Sequence, residues 1–205
     1  MKIICPISSD GKITKQTKRS LNALRGDYNI VYPSGYDVGV QMCSEIDLSI
    51  TEHFFIDSDI EFSEDHITIL RHSGCDVVSG AYKKSISHGR IAGNLSWLNS
   101  DERAFVAGKW GQQHGMIGSM VDGDCTALML VDWCGTGFIY IKTMAIKKIL
   151  DVCREPVFYH HTILDDSLSM GRGQTSADIG FCLNCEKAGI KIWLNCGVQV
   201  KHIRR

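Results

Sequence analysis

The chain has 205 residues, a formal net charge of −1 and 44% hydrophobic residues, a composition typical of a globular protein with one compact domain. Near-neutral charge argues against bulk electrostatic binding to nucleic acid or to an anionic membrane. No run of about 18 apolar residues occurs, and residues 1–9 lack the basic and apolar regions of a signal peptide, so we expect no membrane span and a cytoplasmic location.

In chain order, the first half alternates strands with helices. Apolar runs predict strands at residues 2–7, 28–32 and 76–81 and a further strand within 53–62, and helical spacing predicts helices at 14–24, 38–49 and 64–72. This alternation predicts an α/β fold with a mostly parallel sheet flanked by helices. Ligands of such sheets bind at the carboxyl ends of the strands.

The second half is less regular. Residues 85–124 are Gly-rich and polar, and residues 127–142 indicate strands around a Gly-Thr-Gly break. Helices are predicted at 143–153 and 176–188, and one or two strands at 191–203. Residues 156–175 are predicted to form a mobile loop that serves as a lid, because loops this long in compact domains are often functional. A smaller mixed sheet is expected here.

The charged residues are unevenly distributed along the chain. Between residues 26 and 70 there are ten carboxylates and no Lys or Arg, whereas after Glu186 there are five basic residues and no acid. A fold that joins these stretches could hold a cation and a polyanion side by side.

The nine cysteines are scattered along the chain, which indicates reduced thiols. Cys182 and Cys185 lie within a helical pattern and are predicted to pack in the core rather than bind zinc or act in redox chemistry.

The sharpest local feature is the run Phe54-Phe55-Ile56-Asp57-Ser58-Asp59, in which an apolar strand leads directly into two carboxylates. In an extended chain, Asp57 and Asp59 would face the same side, roughly 6–7 Å apart. Two carboxylates so placed repel one another unless a cation lies between them, and oxygen ligands suit Mg²⁺ or Mn²⁺. The alternative is a surface turn with solvated acids.

The segment FFIDSDIEF at 54–62 resembles the DxD element of GT-A-fold glycosyltransferases, particularly the GT2-like group. Four further segments follow in the order of that family: VVSGAYKK at 77–84, VDWCGTGF at 131–138, SADIGFC at 176–182 and QVKHI at 199–203. The resemblance spans roughly the whole chain, and compact catalytic domains of this size occur in viruses and phages.

The resemblance implies a single GT-A, Rossmann-like domain over 1–205, with a nucleotide-sugar-binding half at 1–84 and an acceptor-side half at 85–205. It implies an inverting transfer from a nucleotide-diphosphate sugar, such as a UDP- or GDP-sugar, to a hydroxyl of a glycan or glycoprotein acceptor. The implied cofactor is Mn²⁺ or Mg²⁺.

The same resemblance assigns roles by position. Asp59 and His202 would coordinate the metal, Asp57 would bind its waters or the donor ribose, and Asp178 would be the catalytic base. Ser176 as N-cap would place Asp178 in the first helical turn, where the helix dipole favours an ionised carboxylate. The other donor-binding and acceptor-side candidates are Pro6, Ile7, Ser8 and Ser58, and Trp133, Gly135 and Gly137, respectively.

Several alternatives stay open at this point. His202 could be a surface histidine, Asp178 could serve only the helix end with Asp165 or Asp166 as the base, and Trp133 could be a core residue. Ala177 stands where the family commonly has Glu, and the second strand lacks the Asp that often reads uracil. The competing functions are a metal-dependent nucleotidyltransferase or phosphatase and an inactive sugar-nucleotide or glycan-binding module.

Overall fold

A computed structural model of the chain describes residues 1–7, 11–83, 128–164 and 172–203; the predictions for Ser8, Asp165, Asp166 and residues 85–124 lie outside them. The strands are β1 (Lys2–Ile4), β2 (Asn29–Val31), β3 (Glu52–Ile56), β4 (Ile60–Glu61), β5 (Val77–Lys83), β6 (Leu128–Val131), β7 (Phe138–Lys142), β8 (Thr162–Leu164), β9 (Arg172–Gln174) and β10 (Ile192–His202). The helices are α1 (Lys15–Asn22), α2 (Val38–Ser44), α3 (Glu64–Arg71), α4 (Thr143–Val152) and α5 (Ala177–Lys187).

One sheet holds both halves of the chain together. Its strand order is β2-β1-β3-β7-β5-β10-β4, and β6 also pairs with β10. Strands β1, β2, β3, β5 and β10 run in one direction, while β4, β6 and β7 run in the other. The α/β class predicted from the alternating pattern is therefore present, but the sheet is more mixed than predicted because β7 inserts antiparallel between β3 and β5.

Both faces of the sheet are covered by helices, which explains the continuous apolar character of β3. Phe55 packs in one buried cluster with residues of α2, α4 and α5, whereas Phe54 and Ile56 pack in a second cluster with residues of α1 and α3. All three side chains are fully buried. Because successive strand residues point to opposite faces, a strand buried on both sides has no polar alternation. Burial of each such side chain contributes about 1.5–3 kcal/mol.

The strand predicted within residues 53–62 is β3, which ends at Ile56 before the chain turns at Asp57–Asp59 and enters β4. Two other predicted elements differ from the structure. The helix predicted at 38–49 ends at Ser44, and the Asp47 carboxylate accepts from the Ser49 amide at 2.9 Å in a local turn that competes with helix. The loop predicted at 156–175 contains β8 and β9, which pair antiparallel.

Two glycines and two cysteines behave as the sequence indicates. Gly74 and Gly189 follow α3 and α5 with positive φ of 79° and 62°, a conformation that glycine adopts without a steric penalty. Cys182 and Cys185 are fully buried, and burial raises the pKa of both thiols. Their predicted role in core packing is confirmed. No helix in the described ranges is long and apolar enough to cross a bilayer.

Candidate active site

Strands β1, β3, β5 and β10 end at the same end of the sheet, which we call the carboxyl end. The registers place Ile4 beside Phe55, and Ile56 beside Phe138 at the start of antiparallel β7. The parallel pairing of β5 with β10 brings the last residues of these strands to the same end. The segments after β1, β3 and β10 and before β7 therefore meet in one region, where open α/β sheets bind ligands.

The acidic segment after β3 is a tight turn, not the extended strand that the sequence predicted. The Ile60 amide donates to the Asp57 carbonyl at 3.2 Å, and the Ser58 carbonyl accepts from the Thr14 amide at 2.9 Å. Asp and Ser favour turns because their side chains compete for backbone hydrogen bonds. The i, i+2 geometry expected for Asp57 and Asp59 is thus wrong. Both are partly buried, and Ser58 is buried.

The turn brings Asp59 to the end of β10. Asp59 Oδ2 lies 3.5 Å from His202 Nε2, with the side chains 22% and 17% exposed, respectively. The backbone fixes this pair, because the Ile203 amide donates to the Asp59 carbonyl at 2.7 Å and His202 stands opposite Ile60 in the β4–β10 ladder. The first and last thirds of the chain therefore contribute one carboxylate and one imidazole to the same place.

These two side chains could supply two ligands to a divalent metal ion. Among the residues that the structure describes, no three His, Cys, Asp or Glu side chains come together to hold a metal ion. A carboxylate oxygen and an imidazole nitrogen are both ligands for divalent metals. Asp59 and His202 fit a metal that takes its remaining ligands from phosphate and water, as Mg²⁺ commonly does in phosphate-binding enzymes.

Asp178 lies in the first turn of α5, as predicted, and its carboxylate accepts a hydrogen bond from the Thr136 hydroxyl. Thr136 is the middle residue of the Gly-Thr-Gly segment that precedes β7. The next residue, Gly137, accepts from the Asp57 amide at 2.8 Å through its carbonyl. One short loop therefore contacts both the acidic turn and the N-terminus of α5.

The Gly-Thr-Gly segment also contacts strand β5. The Ser79 hydroxyl, on β5, lies 3.1 Å from the Gly135 carbonyl and 3.3 Å from the Phe138 carbonyl. Gly135 and Gly137 are buried, so the acceptor-side residues predicted there offer little surface to a ligand. Trp133 is 2% exposed in the core cluster, which favours its interpretation as a core residue over a sugar platform.

The segment after β1 runs along the end of β2. The Ile7 amide donates to the Pro33 carbonyl at 2.8 Å, and Ile7 pairs with Ser34 in an isolated parallel bridge. Pro6 is buried and Ile7 is partly exposed, so Ile7 has the better access to a ligand. Nearby Tyr32 is 42% exposed, and burial of part of its ring raises the pKa of the phenol.

Three further polar side chains of this region were not predicted from the sequence: Thr136, Asp37 and His160. His160 Nδ1 donates to the Thr175 carbonyl at 2.7 Å, and its Nε2 lies 3.4 Å from Asp37 Oδ2. The Val40 amide bonded to Asp37, together with His160, holds the pKa of that carboxyl below its usual value. A Thr between two glycines and a His before a short strand carry no local signal for these long-range contacts.

Comparison with known proteins supports the fold. No protein-family model and no curated protein matches the chain. Protein A197 from STIV aligns with 100% of this chain and 87% of its own, at 16% identity and a TM-score of 0.55. The inositol-1-phosphate CTP transferase from T. maritima aligns with 98% of this chain and 88% of its own, at 10% identity and a TM-score of 0.41. The first likeness shows a shared fold alone, and the second is too distant to carry an argument.

Proposed function

We propose that this chain is a metal-dependent, inverting glycosyltransferase of the GT-A fold that uses a nucleotide-diphosphate sugar. The observation that carries the proposal is that the Asp59–His202 pair and the Thr136–Asp178 pair both lie near the carboxyl end of the sheet, and that the hydrogen bond from the Asp57 amide to the Gly137 carbonyl links their two segments. These residues belong to four of the five segments that resemble the glycosyltransferase family. Polar side chains distributed at random over the surface would not collect at the end of the sheet where such folds bind ligands.

In this proposal Asp59 and His202 would hold Mn²⁺ or Mg²⁺ beside the donor diphosphate. The bound metal supplies positive charge that stabilises the departing nucleoside diphosphate. Partial burial of the two side chains, at 22% and 17% exposure, reduces competition from bulk water for that charge. Asp57 and Ser58 at the turn, and Ile7 and Ser8 after β1, are the residues proposed to contact the ribose and the base.

Asp178 is the proposed base. Its position in the first turn of α5 and the hydrogen bond from Thr136 both favour the ionised carboxylate, which is the form that accepts a proton. The acceptor hydroxyl transfers its proton to Asp178 while its oxygen bonds to the anomeric carbon. The bond from that carbon to the diphosphate oxygen breaks on the opposite face, so the configuration inverts.

Donor turnover with water as the acceptor tests this proposal without knowledge of the natural acceptor. The purified chain is incubated with UDP-, GDP- or CMP-sugars and Mn²⁺, and the nucleotide product is measured. Release of nucleoside diphosphate, or of nucleoside monophosphate from a CMP-sugar, indicates glycosyl transfer; formation of pyrophosphate with a nucleoside triphosphate and a sugar phosphate indicates the nucleotidyltransferase. Asp178→Asn should reduce turnover about 100-fold or more, since general-base catalysis contributes typically 10²–10⁴-fold.

A matched control lies on the same helix. Glu186→Gln removes a carboxylate from the exposed far end of α5 and should leave turnover unchanged. Equal loss in both variants would indicate damage to the helix instead of removal of a base. Binding of a sugar nucleotide without turnover in the wild type would favour the inactive binding module.

A further inference from the structure

The loop Gly135–Gly137, which we call the linking loop, is held from three directions. Ser79 contacts its first carbonyl from β5, the Asp57 amide donates to its last carbonyl from the acidic turn, and its Thr136 side chain reaches α5. Buried polar contacts of this kind fix a loop in one arrangement, because each lost partner leaves a desolvated group. The linking loop is therefore a rigid connection between the acidic turn and the helix that carries Asp178.

The direction of the Thr136–Asp178 hydrogen bond is determined by chemistry. An ionised carboxylate only accepts, so the Thr136 hydroxyl is the donor. Thr136 is 3% exposed, which makes competition by bulk water small. Hydrogen bonds with one charged partner in such surroundings are among the stronger ones in proteins.

This contact does two things for Asp178. It selects one carboxylate orientation, because the Asp178 side chain must point toward the linking loop to accept the bond. It also favours the charged form over the protonated form, since a protonated carboxyl accepts more weakly. A base that is both oriented and charged before the acceptor arrives needs less reorganisation during proton transfer.

We propose that Thr136 is a positioning residue that orients Asp178 and keeps it ionised, and that the linking loop sets the distance between this base and the acidic turn. This inference rests on the proposed function, in which Asp178 takes the proton of the acceptor hydroxyl. Thr136 touches neither the donor nor the acceptor in this scheme. Thr136 acts through Asp178. The hydrogen bond from the Asp57 amide to the Gly137 carbonyl connects the linking loop to the acidic turn, where the donor is proposed to bind.

The test compares Thr136→Val with Thr136→Ser in the metal-dependent turnover of a sugar nucleotide across pH 5 to 9. Val matches the shape of Thr but has no hydroxyl, so we expect kcat to fall about 10- to 100-fold with KM for the donor within about twofold. The acidic limb of the kcat profile should move to higher pH. Ser keeps the hydroxyl and should stay within about threefold of the wild type.

Thr143→Val is the matched control, because Thr143 is also 3% exposed and its hydroxyl lies 3.2 Å from Nδ1 of the buried His53 side chain. It lies at the other end of β7, away from Asp178. Its loss of stability should resemble that of Thr136→Val, while its kcat and pH profile should match the wild type. Unfolding curves for all variants identify any that are not folded at the assay temperature.

Carbon-13 titration of the Asp178 carboxyl separates this inference from the proposed function. The signal is assigned by its loss in Asp178→Asn, and it should titrate at higher pH in Thr136→Val than in wild type or Thr136→Ser. Unchanged kcat and pH profile in Thr136→Val, or equal loss in Thr136→Ser, would overturn the positioning role while the enzyme remains. Absence of turnover in the wild type, with the titration difference present, would overturn the function and leave only a structural hydrogen bond.

Discussion

His53 is a buried imidazole whose protonation should destabilise the fold. It is fully buried at the start of β3, and its Nε2 accepts from the Asp47 amide at 3.1 Å. Nδ1 therefore carries the proton and faces the Thr143 hydroxyl at 3.2 Å. A second proton would have to go to Nε2, where it would meet an amide N–H. Burial, with a smaller contribution from Lys2, lowers the pKa of His53 to about 4.

The magnitude follows from the difference between the folded and unfolded pKa values. The unfolded imidazole takes up a proton near pH 6.5, whereas the folded one does so only near pH 4. Between these values the unfolded state binds more protons, so the free energy of unfolding falls as pH falls. The loss amounts to about 3 kcal/mol, complete near pH 4 and absent above about pH 7.

Urea unfolding at intervals from pH 7.5 to pH 4.5 measures this loss. His53→Gln has no imidazole at this position and should show a much shallower dependence in the same window, from a lower starting stability. The exposed His72 supplies the control, because His72→Gln should keep the wild-type dependence. Half-buried His66, whose pKa burial also lowers, contributes a smaller slope of the same sign. An unchanged slope in His53→Gln would show that protonation of His53 does not cause the loss of stability.

Two further predictions concern α5. Inside a helix, alanine is normally about 1 kcal/mol more stabilising than glycine. A Cβ at Gly180 would however overlap the Tyr159 carbonyl, so Gly180→Ala should destabilise the protein by about 1–3 kcal/mol in thermal unfolding. Greater stability of this variant would contradict the packing of Gly180 against Tyr159. Burial raises the thiol pKa of Cys182 and Cys185, so a thiol reagent at pH 8 should label neither before unfolding. Rapid labelling of either, located by mass spectrometry, would contradict that burial.

The sequence predicted those parts of the fold that depend on local pattern. Apolar runs located β1, β2, β3 and β5, and stop signals such as Gly74 and Gly189 located helix ends, because these features depend on neighbouring residues. The insertion of β7 between β3 and β5 could not be predicted this way, because strand pairing joins residues that are far apart in the chain.

The candidate site also combines residues that the sequence could predict with contacts between residues far apart in the chain that it could not. Asp59 and His202 were predicted from the family resemblance and from the tendency of open α/β sheets to bind ligands at the carboxyl ends of their strands. The structure places these two side chains together. The geometry proposed for Asp57 and Asp59 was wrong because backbone hydrogen bonds make the segment a turn. Thr136 was missed because its bond to Asp178 links residues 42 positions apart, and no periodic pattern reports such a contact.

We propose that Asp59 and His202 bind a metal together with a nucleotide sugar. The most direct measurement is the thermal unfolding midpoint with UDP-, GDP- and CMP-sugars, with and without Mn²⁺, for wild type and Asp59→Asn. Asp76→Asn, at the opposite end of the sheet, is the matched control.

Saturation at about 100 times Kd stabilises the native state by about 2.7 kcal/mol, which corresponds to a rise of roughly 5–10 °C for a chain of this size. We predict a Mn²⁺-dependent rise for one nucleotide class in wild type and Asp76→Asn, and none in Asp59→Asn. No rise with any donor, or a full rise in Asp59→Asn, would show that Asp59 and His202 do not bind a metal with a nucleotide sugar.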